Sequence, residues 1–249
     1  MNYSISKIFH QATKVKYKDE NKKLSDPKNW PKQWKTIYFK SYPRLPKIFL
    51  PKIEKLDFSL GKSLINRQSE REFSGEQIKL KDLSQLLFYS AGIIKTNEDN
   101  QNKGFRTYPS GGARFPLEIY LFSLQESSEL EKGIYHYNIK EHFLEKLFGE
   151  KNLRKEIYPK AIWQEMILKA PLVLVISAIF WRTTMKYKDR GYRYILLEAG
   201  HLGENIYLTS TALGIKCCAI GGFGDDELHK ILDIDGKNEA ILYAFALGN

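Results

Sequence analysis

Hydrophobic positions recur along this chain at two spacings, and each spacing predicts a different kind of element. Leu83, Leu86, Leu87 and Ala91 fall three and four apart, which predicts a helix that opens at Leu80 and stops at Gly92. The same interval runs through Ile195, Ala199, Leu202, Ile206 and Leu213, so a long helix is expected over 192–213, with Gly214 as a left-handed cap. Short apolar or alternating runs predict strands at 117–124, 133–137, 143–148, 171–179, 216–220 and 240–247. Two further helices are expected at 156–169 and 225–232, the second with an acidic first turn. The polar segment 93–108, with Asn97, Asn100, Asn102 and Gly104, reads as a mobile loop and a candidate lid. Strands and helices intermix, and the strands are too few and too irregular for an eightfold barrel. The expected fold class is therefore α+β, arranged as three layers α-β-α.

A chain of 249 residues can bury one sizeable core. Charge divides it unevenly: residues 1–55 carry 14 Lys or Arg against 4 Asp or Glu, while the rest carries 25 of each. Pro27, Pro31, Pro43, Pro46 and Pro51 fall in the same stretch, so a mostly extended N-terminal arm (1–55) is expected ahead of a body (56–249). Trp30, Trp34, Tyr38 and Phe39 give the arm apolar weight, which predicts that it wraps on a folded surface. Its charge suits an acidic partner. With no zinc-finger spacing or RNA-recognition signature, no specific nucleic-acid partner is expected.

The longest apolar stretch, 170–180, is far shorter than the roughly 20 residues that span a bilayer, so it reads as a buried strand. No membrane association is expected, and the polar N-terminus points to a cytoplasmic location. Cys217 and Cys218 are adjacent in a strand and should face opposite ways, as free thiols. The five histidines are scattered, so no metal site is expected. His201 reads as a packed core residue, because the sequence places no carboxylate beside it.

Candidate chemistry lies in two segments. Arg67, Ser69 and Arg71 stand at alternate positions, so in an extended backbone two guanidinium forks and a hydroxyl share one face and can grip a phosphate. Downstream, Pro109-Ser110-Gly111-Gly112-Ala113-Arg114 forms a tight turn whose glycines let backbone N–H groups approach a flat, oxygen-rich ring. Each alone is equally an ordinary charged loop or turn; together they suggest bound flavin mononucleotide (FMN). Two other nucleotide signatures fail. Gly61-Lys62-Ser63 has Leu56 where a P-loop needs its first glycine, and Gly222-Phe223-Gly224 lacks the third glycine of a dinucleotide fingerprint.

Over nearly its whole length the chain resembles the nitroreductase superfamily, and within it the SagB-type azoline dehydrogenases. The resemblance is carried by Phe9 to Lys14, Arg67 to Phe73, Arg106 to Arg114, Gly133 to Tyr137, Lys186-Tyr187 with Glu198 to His201, and Ile220 to Phe223, in the family's order. It implies an FMN-binding fold built as an interlocked homodimer, with each flavin at the interface. Carried over by position, Arg67, Ser69 and Arg71 would hold the phosphate. Pro109, Ser110, Gly111 and Arg114 would line the ring and ribityl chain, and Gly221 and Gly222 would approach the flavin edge. Members often add basic residues after the last strand, whereas here Gly248-Asn249 follows, so other residues must complete the phosphate site.

The implied reaction converts thiazoline or oxazoline rings in a peptide to azoles, with Lys186 and Tyr187 handling the proton. A neutral lysine base needs its pKa brought from about 10.4 to about 7, roughly 4.6 kcal/mol, and Arg182, Lys188 and Arg190 are near in sequence to help. Which of the pair is the base stays open, and from composition alone 185–190 is an exposed loop. The arm is expected to meet a cyclodehydratase partner or the leader of the peptide substrate. Two other readings compete: an NAD(P)H-dependent nitro- or quinone reductase, and a non-catalytic scaffold with a basic docking arm.

Overall fold

The computed structural model describes residues 4–14, 26–97, 100–149 and 152–249. Within the arm, Ile5, Ile8 and Phe9 repeat at helical spacing and form α1 (Ile5–Ala12), and a second short helix, α2 (Lys32–Lys35), starts after Pro31. The arm is thus less extended than its prolines suggest, because Pro31 sits at a helix start, where its missing N–H costs nothing. The chain then runs through β1 (Lys47–Phe49) and α3 (Leu60–Asn66) into α4 (Leu80–Ala91), which ends at Gly92 as its spacing predicts.

Residues 93–97 and 100–106 are not a loop. They pair antiparallel as β2 (Ile93–Asn97) and β3 (Asn100–Arg106). Ladder hydrogen bonds depend on backbone and not on side-chain polarity, so the asparagines conceal the pairing. Gly104 also has a packing reason: a Cβ there would lie 2.5 Å from the Ile93 side chain.

The main sheet continues with β4 (Leu117–Ser123), β5 (Gly133–Asn138) and β6 (Phe143–Phe148). The helix expected at 156–169 resolves into a short α5 (Leu153–Ile157) and a single 3-10 turn at Glu165–Leu168, since Pro159 supplies no N–H to continue a helix. Next come β7 (Leu172–Ile179), α6 (Trp181–Tyr187), α7 (Arg190–Leu213), β8 (Lys216–Ile220), α8 (Asp225–Leu232) and β9 (Glu239–Gly248). Gly214 caps α7 at φ +70°, in the left-handed region.

Seven strands pair antiparallel in the order β1-β6-β5-β4-β7-β9-β8. Alternation along β4 separates two cores. Leu117, Ile119 and Leu121 pack with Leu83, Leu86 and Leu87 of α4 and with Ile195, Leu202 and Ile206 of α7. Tyr120 and Phe122 pack on the other side with Leu153 and Ile157 of α5 and Leu228 and Leu232 of α8. Helices therefore cover both faces, the three-layer arrangement the sequence predicts. Both cysteines are buried free thiols. No helix among the described residues is long and apolar enough to cross a membrane, and they hold no metal-binding cluster of His, Cys, Asp or Glu.

Candidate active site

Helix α7 organises the site because predicted residues gather at both of its ends. At the C-terminal end, residues 67–74 pass the start of β8 and the end of β9: Glu70 N–H donates to Cys217 O at 2.9 Å and Ser74 N–H to Asn249 O at 2.7 Å. The extended backbone turns alternate residues apart, as the spacing requires. Gln68 and Glu70 line a cleft of about 470 Å³ with Thr211, Gly214 and Cys217, while the Arg67 guanidinium stacks over the Tyr207 ring at 5.3 Å. The Tyr207 hydroxyl meets Ser69 Oγ at 2.8 Å and accepts the Ala219 N–H at 2.8 Å, joining segment, helix and strand. Arg71 is exposed and donates to Ser69 O at 3.2 Å; it shares a second cleft of about 650 Å³ with Lys169 and Lys216. Neither Arg67 nor Arg71 forms an ion pair among the described residues. Beyond β8, Gly221 is exposed with nothing within 4 Å of where a Cβ would stand, and Gly222 accepts from Gln164 Nε2 at 2.8 Å beside Trp163.

The Pro109–Arg114 turn sits at the other end, against the first turns of α7. Gly111 N–H donates to Glu198 Oε1 at 3.0 Å, Phe115 N–H donates to Ser110 Oγ at 2.8 Å, and Gly112 takes φ +64°. Lys186 and Tyr187 converge on this turn from the last residues of α6: a Cβ on Gly112 would fall 2.3 Å from the Tyr187 hydroxyl and 3.1 Å from Lys186 Nζ. The pair is helical and half-buried, not an exposed loop. Pro109 is exposed at the mouth of the turn. Arg114 is buried, and its guanidinium donates to Gly112 O, Gln33 O and Thr36 O, so it joins the turn to the arm.

The electrostatics separate Lys186 from Tyr187. Burial and then the Arg114 charge lower the Lys186 pKa, whereas burial and then Tyr194 raise that of Tyr187. The cation that acts on Lys186 is Arg114, not the three neighbours in sequence. Arg182 is spent in a buried ion pair with Glu118 at 2.5 Å, and Arg190 donates to Thr13 O at 3.3 Å. Glu118 and Glu145 in turn flank His136 at 3.0 and 2.7 Å, all buried in the sheet. Burial opposes ionisation of Glu118, but Arg182 and His136 outweigh it and hold its pKa down to about 2.

Glu198 is the residue that sequence reasoning missed. It is 2% exposed, its Oε2 has no hydrogen-bond partner, and burial raises its pKa to about 7 against the opposing bonds from Ser110 and Gly111. The available signal was a carboxylate set within the apolar stripe between Ile195 and Leu202. His201, in contrast, is exposed and not a core residue, because it falls one position round the helix from that stripe.

The two groups lie at different levels of α7. Glu198 and Tyr207 lie nine residues apart on one helix, about 14 Å along its axis.

The seven-stranded antiparallel sheet between helical layers, with an arginine-serine segment and a glycine turn at opposite ends of the longest helix, is a nitroreductase-like fold. The chain belongs to the Nitroreductase family, whose model matches residues 64–249. Proteins of that family typically bind flavin, and membership makes this chain an oxidoreductase. Protein MJ1384 of Methanocaldococcus jannaschii, provisionally named a nitroreductase, is 39% identical over 75% of this chain and 89% of its own length. The microcin B17-processing protein McbC of Escherichia coli is 28% identical over 75% of this chain and 72% of its own. Among solved structures, the E. coli microcin synthetase McbBCD complex with truncated pro-MccB17 bound matches at a TM-score of 0.62 and 23% identity. That match covers 98% of this chain and 91% of the other.

Proposed function

We propose that this protein is an FMN-dependent dehydrogenase that oxidises azoline rings in peptides to azoles, acting as a homodimer. The observation that carries the reading is the meeting of Lys186 and Tyr187 at the Gly112 turn, beside the buried Glu198 carboxylate. The residues present suit FMN. Arg67 and Arg71 carry no carboxylate partner among the described residues, Ser69 offers a hydroxyl between them, and Gly221 leaves its backbone open. They would hold the phosphate and approach the ring edge, while Ser110 and Gly111 would line the ring from the other group. In the proposed homodimer, a second copy would set its own residues beside these two groups and complete each site.

Bound FMN supplies a hydride acceptor. The chain's own part is the proton. Lys186, with its pKa lowered by burial and Arg114, takes it at Nζ from the azoline ring carbon, and Tyr187 orients the ring. The substrate class and a synthetase partner are inferred from the McbBCD complex and its bound pro-MccB17. The MJ1384 likeness favours a second reading, NAD(P)H-dependent reduction of nitro compounds or quinones.

The test is an absorption spectrum of the purified protein, followed by anaerobic mixing with an azoline peptide and separately with NADPH. Bleaching of the flavin by the peptide, with a two-hydrogen mass loss, supports the dehydrogenase. Bleaching by NADPH alone transfers the assignment to the reductase, and a colourless protein that cannot be reconstituted ends both.

A further inference from the structure

The arm reaches into the site. Lys186 Nζ sits 3.3 Å from the ring centroid of Trp30 and 5.5 Å from that of Trp34, and the two indoles meet edge to face at 6.3 Å. This part of the arm is tied to itself. The Asp26 side chain accepts the Lys28 N–H at 2.9 Å, Lys35 Nζ donates to Lys28 O at 2.8 Å, and Thr36 Oγ1 donates to Lys32 O at 3.0 Å. Among the described residues its attachments to the body include Arg114, which holds the carbonyls of Gln33 and Thr36, and Tyr38, which packs edge-on against Trp181 at 4.8 Å. Trp30 lies N-terminal to those attachments and is half-buried.

A base takes a proton from a ring carbon when the two stand about 3–3.5 Å apart with the ring facing the lone pair. Trp30 fills that space. No carboxylate among the described residues is within ion-pair reach of Lys186, so an aromatic face is the ammonium's principal attraction there. We propose that Trp30 is a built-in plug: its indole occupies the position over Lys186 Nζ that the planar five-membered ring of the substrate takes. Residues 26–36 swing out on their Arg114 attachment when substrate enters. The substrate's identity rests on the function proposed above; the plug itself does not.

Two measurements test this on the full-length protein. Acylation of Lys186 by acetic anhydride, followed by mass spectrometry of its peptide, should be about tenfold faster in Trp30→Ala, the rate ratio for a lost contact near the middle of the cation–π range. Trp30→Phe, which keeps an aromatic face, should stay near wild type, and exposed Lys140 should not change in either. The KM for an azoline peptide should fall in Trp30→Ala, because the competitor for the site is gone. Equal labelling of Lys186 in all three proteins, or a KM that rises, overturns the plug; a rise in KM would make Trp30 a permanent wall. Should the wild type oxidise no azoline while Lys186 labelling still increases in Trp30→Ala, the substrate assignment fails and the plug stands. An unfolded Trp30→Ala is recognised by its thermal transition, and Trp30→Leu then takes its place.

Discussion

Glu198 accepts the backbone N–H of Gly111 at 3.0 Å, so a carboxylate buried in the long helix fixes the turn on which Lys186 and Tyr187 converge. Its raised pKa of about 7 makes that contact pH-dependent. In the unfolded chain the group titrates near 4.5, so the folded state holds its proton more tightly. The stabilisation is complete below about pH 4.5 and is lost as pH rises through 7. Between pH 5 and 8 the Glu198 contribution should fall by about 2 to 3 kcal/mol. Glu198→Gln keeps an acceptor for Gly111, and its thermal midpoint should drop less over that interval than wild type. Parallel midpoints would show that Glu198 is ionised throughout.

Lys186→Ala should retain flavin, since Lys186 belongs to the turn group and not to the arginine-serine segment. Azoline oxidation should fall about 100- to 10,000-fold, the range for loss of a positioned acid or base. Mass spectrometry of the peptide product measures it, and unaltered turnover would rule Lys186 out as the base.

Arg71 is exposed, and among the described residues its hydrogen bond is one to Ser69 O, so Arg71→Ala should leave the melting temperature unchanged. Losing one charge-assisted phosphate contact of roughly 1.5–3 kcal/mol should weaken FMN binding about ten- to a hundredfold. Fluorescence titration with FMN reads this directly. An unchanged Kd would place the phosphate elsewhere.

Gly112→Ala tests the turn. A side chain at φ +64° costs roughly 1–2 kcal/mol, and its Cβ would fall 2.3 Å from the Tyr187 hydroxyl. Stability should drop by at least that amount, and denaturant titration would show it. A neutral result would mean that the turn relaxes freely and does not position Tyr187.

Glu118→Ala would strand Arg182 inside the sheet without its carboxylate and leave His136 with Glu145 alone, at a cost of about 3–5 kcal/mol. The sign with pH is opposite to that of Glu198. Because the Glu118 pKa is depressed, its stabilisation is present above about 4.5 and is lost as pH falls toward 2. Acid titration of wild type against Glu118→Gln should show the difference shrinking across that window.

Periodicity made the cores legible. Every residue of β4 is buried, and the stripe on α7 packs where its spacing says. The pairing of 93–97 with 100–106 is hidden because backbone pairing leaves little mark on a polar sequence, and the helix expected at 156–169 is broken at Pro159. In the site, alternation was enough to put Gln68 and Glu70 on one side of their segment and Arg67 on the other. What no local pattern could give is the set of long-range contacts. Arg114 turning to the arm, Trp30 over Lys186 and Glu198 under Gly111 all depend on tertiary packing.

Helix α7 also acts as a ruler. Its inward residues serve two distant tasks, Glu198 at one graduation and Tyr207 at another, and the sheet beneath fixes how it lies. Inserting or deleting a single residue between them would swing one task through about 100° relative to the other. Outward positions such as Leu197 and His201 can change size and polarity without disturbing that gauge in the single chain. The chain can therefore vary in composition along this helix far more readily than in length.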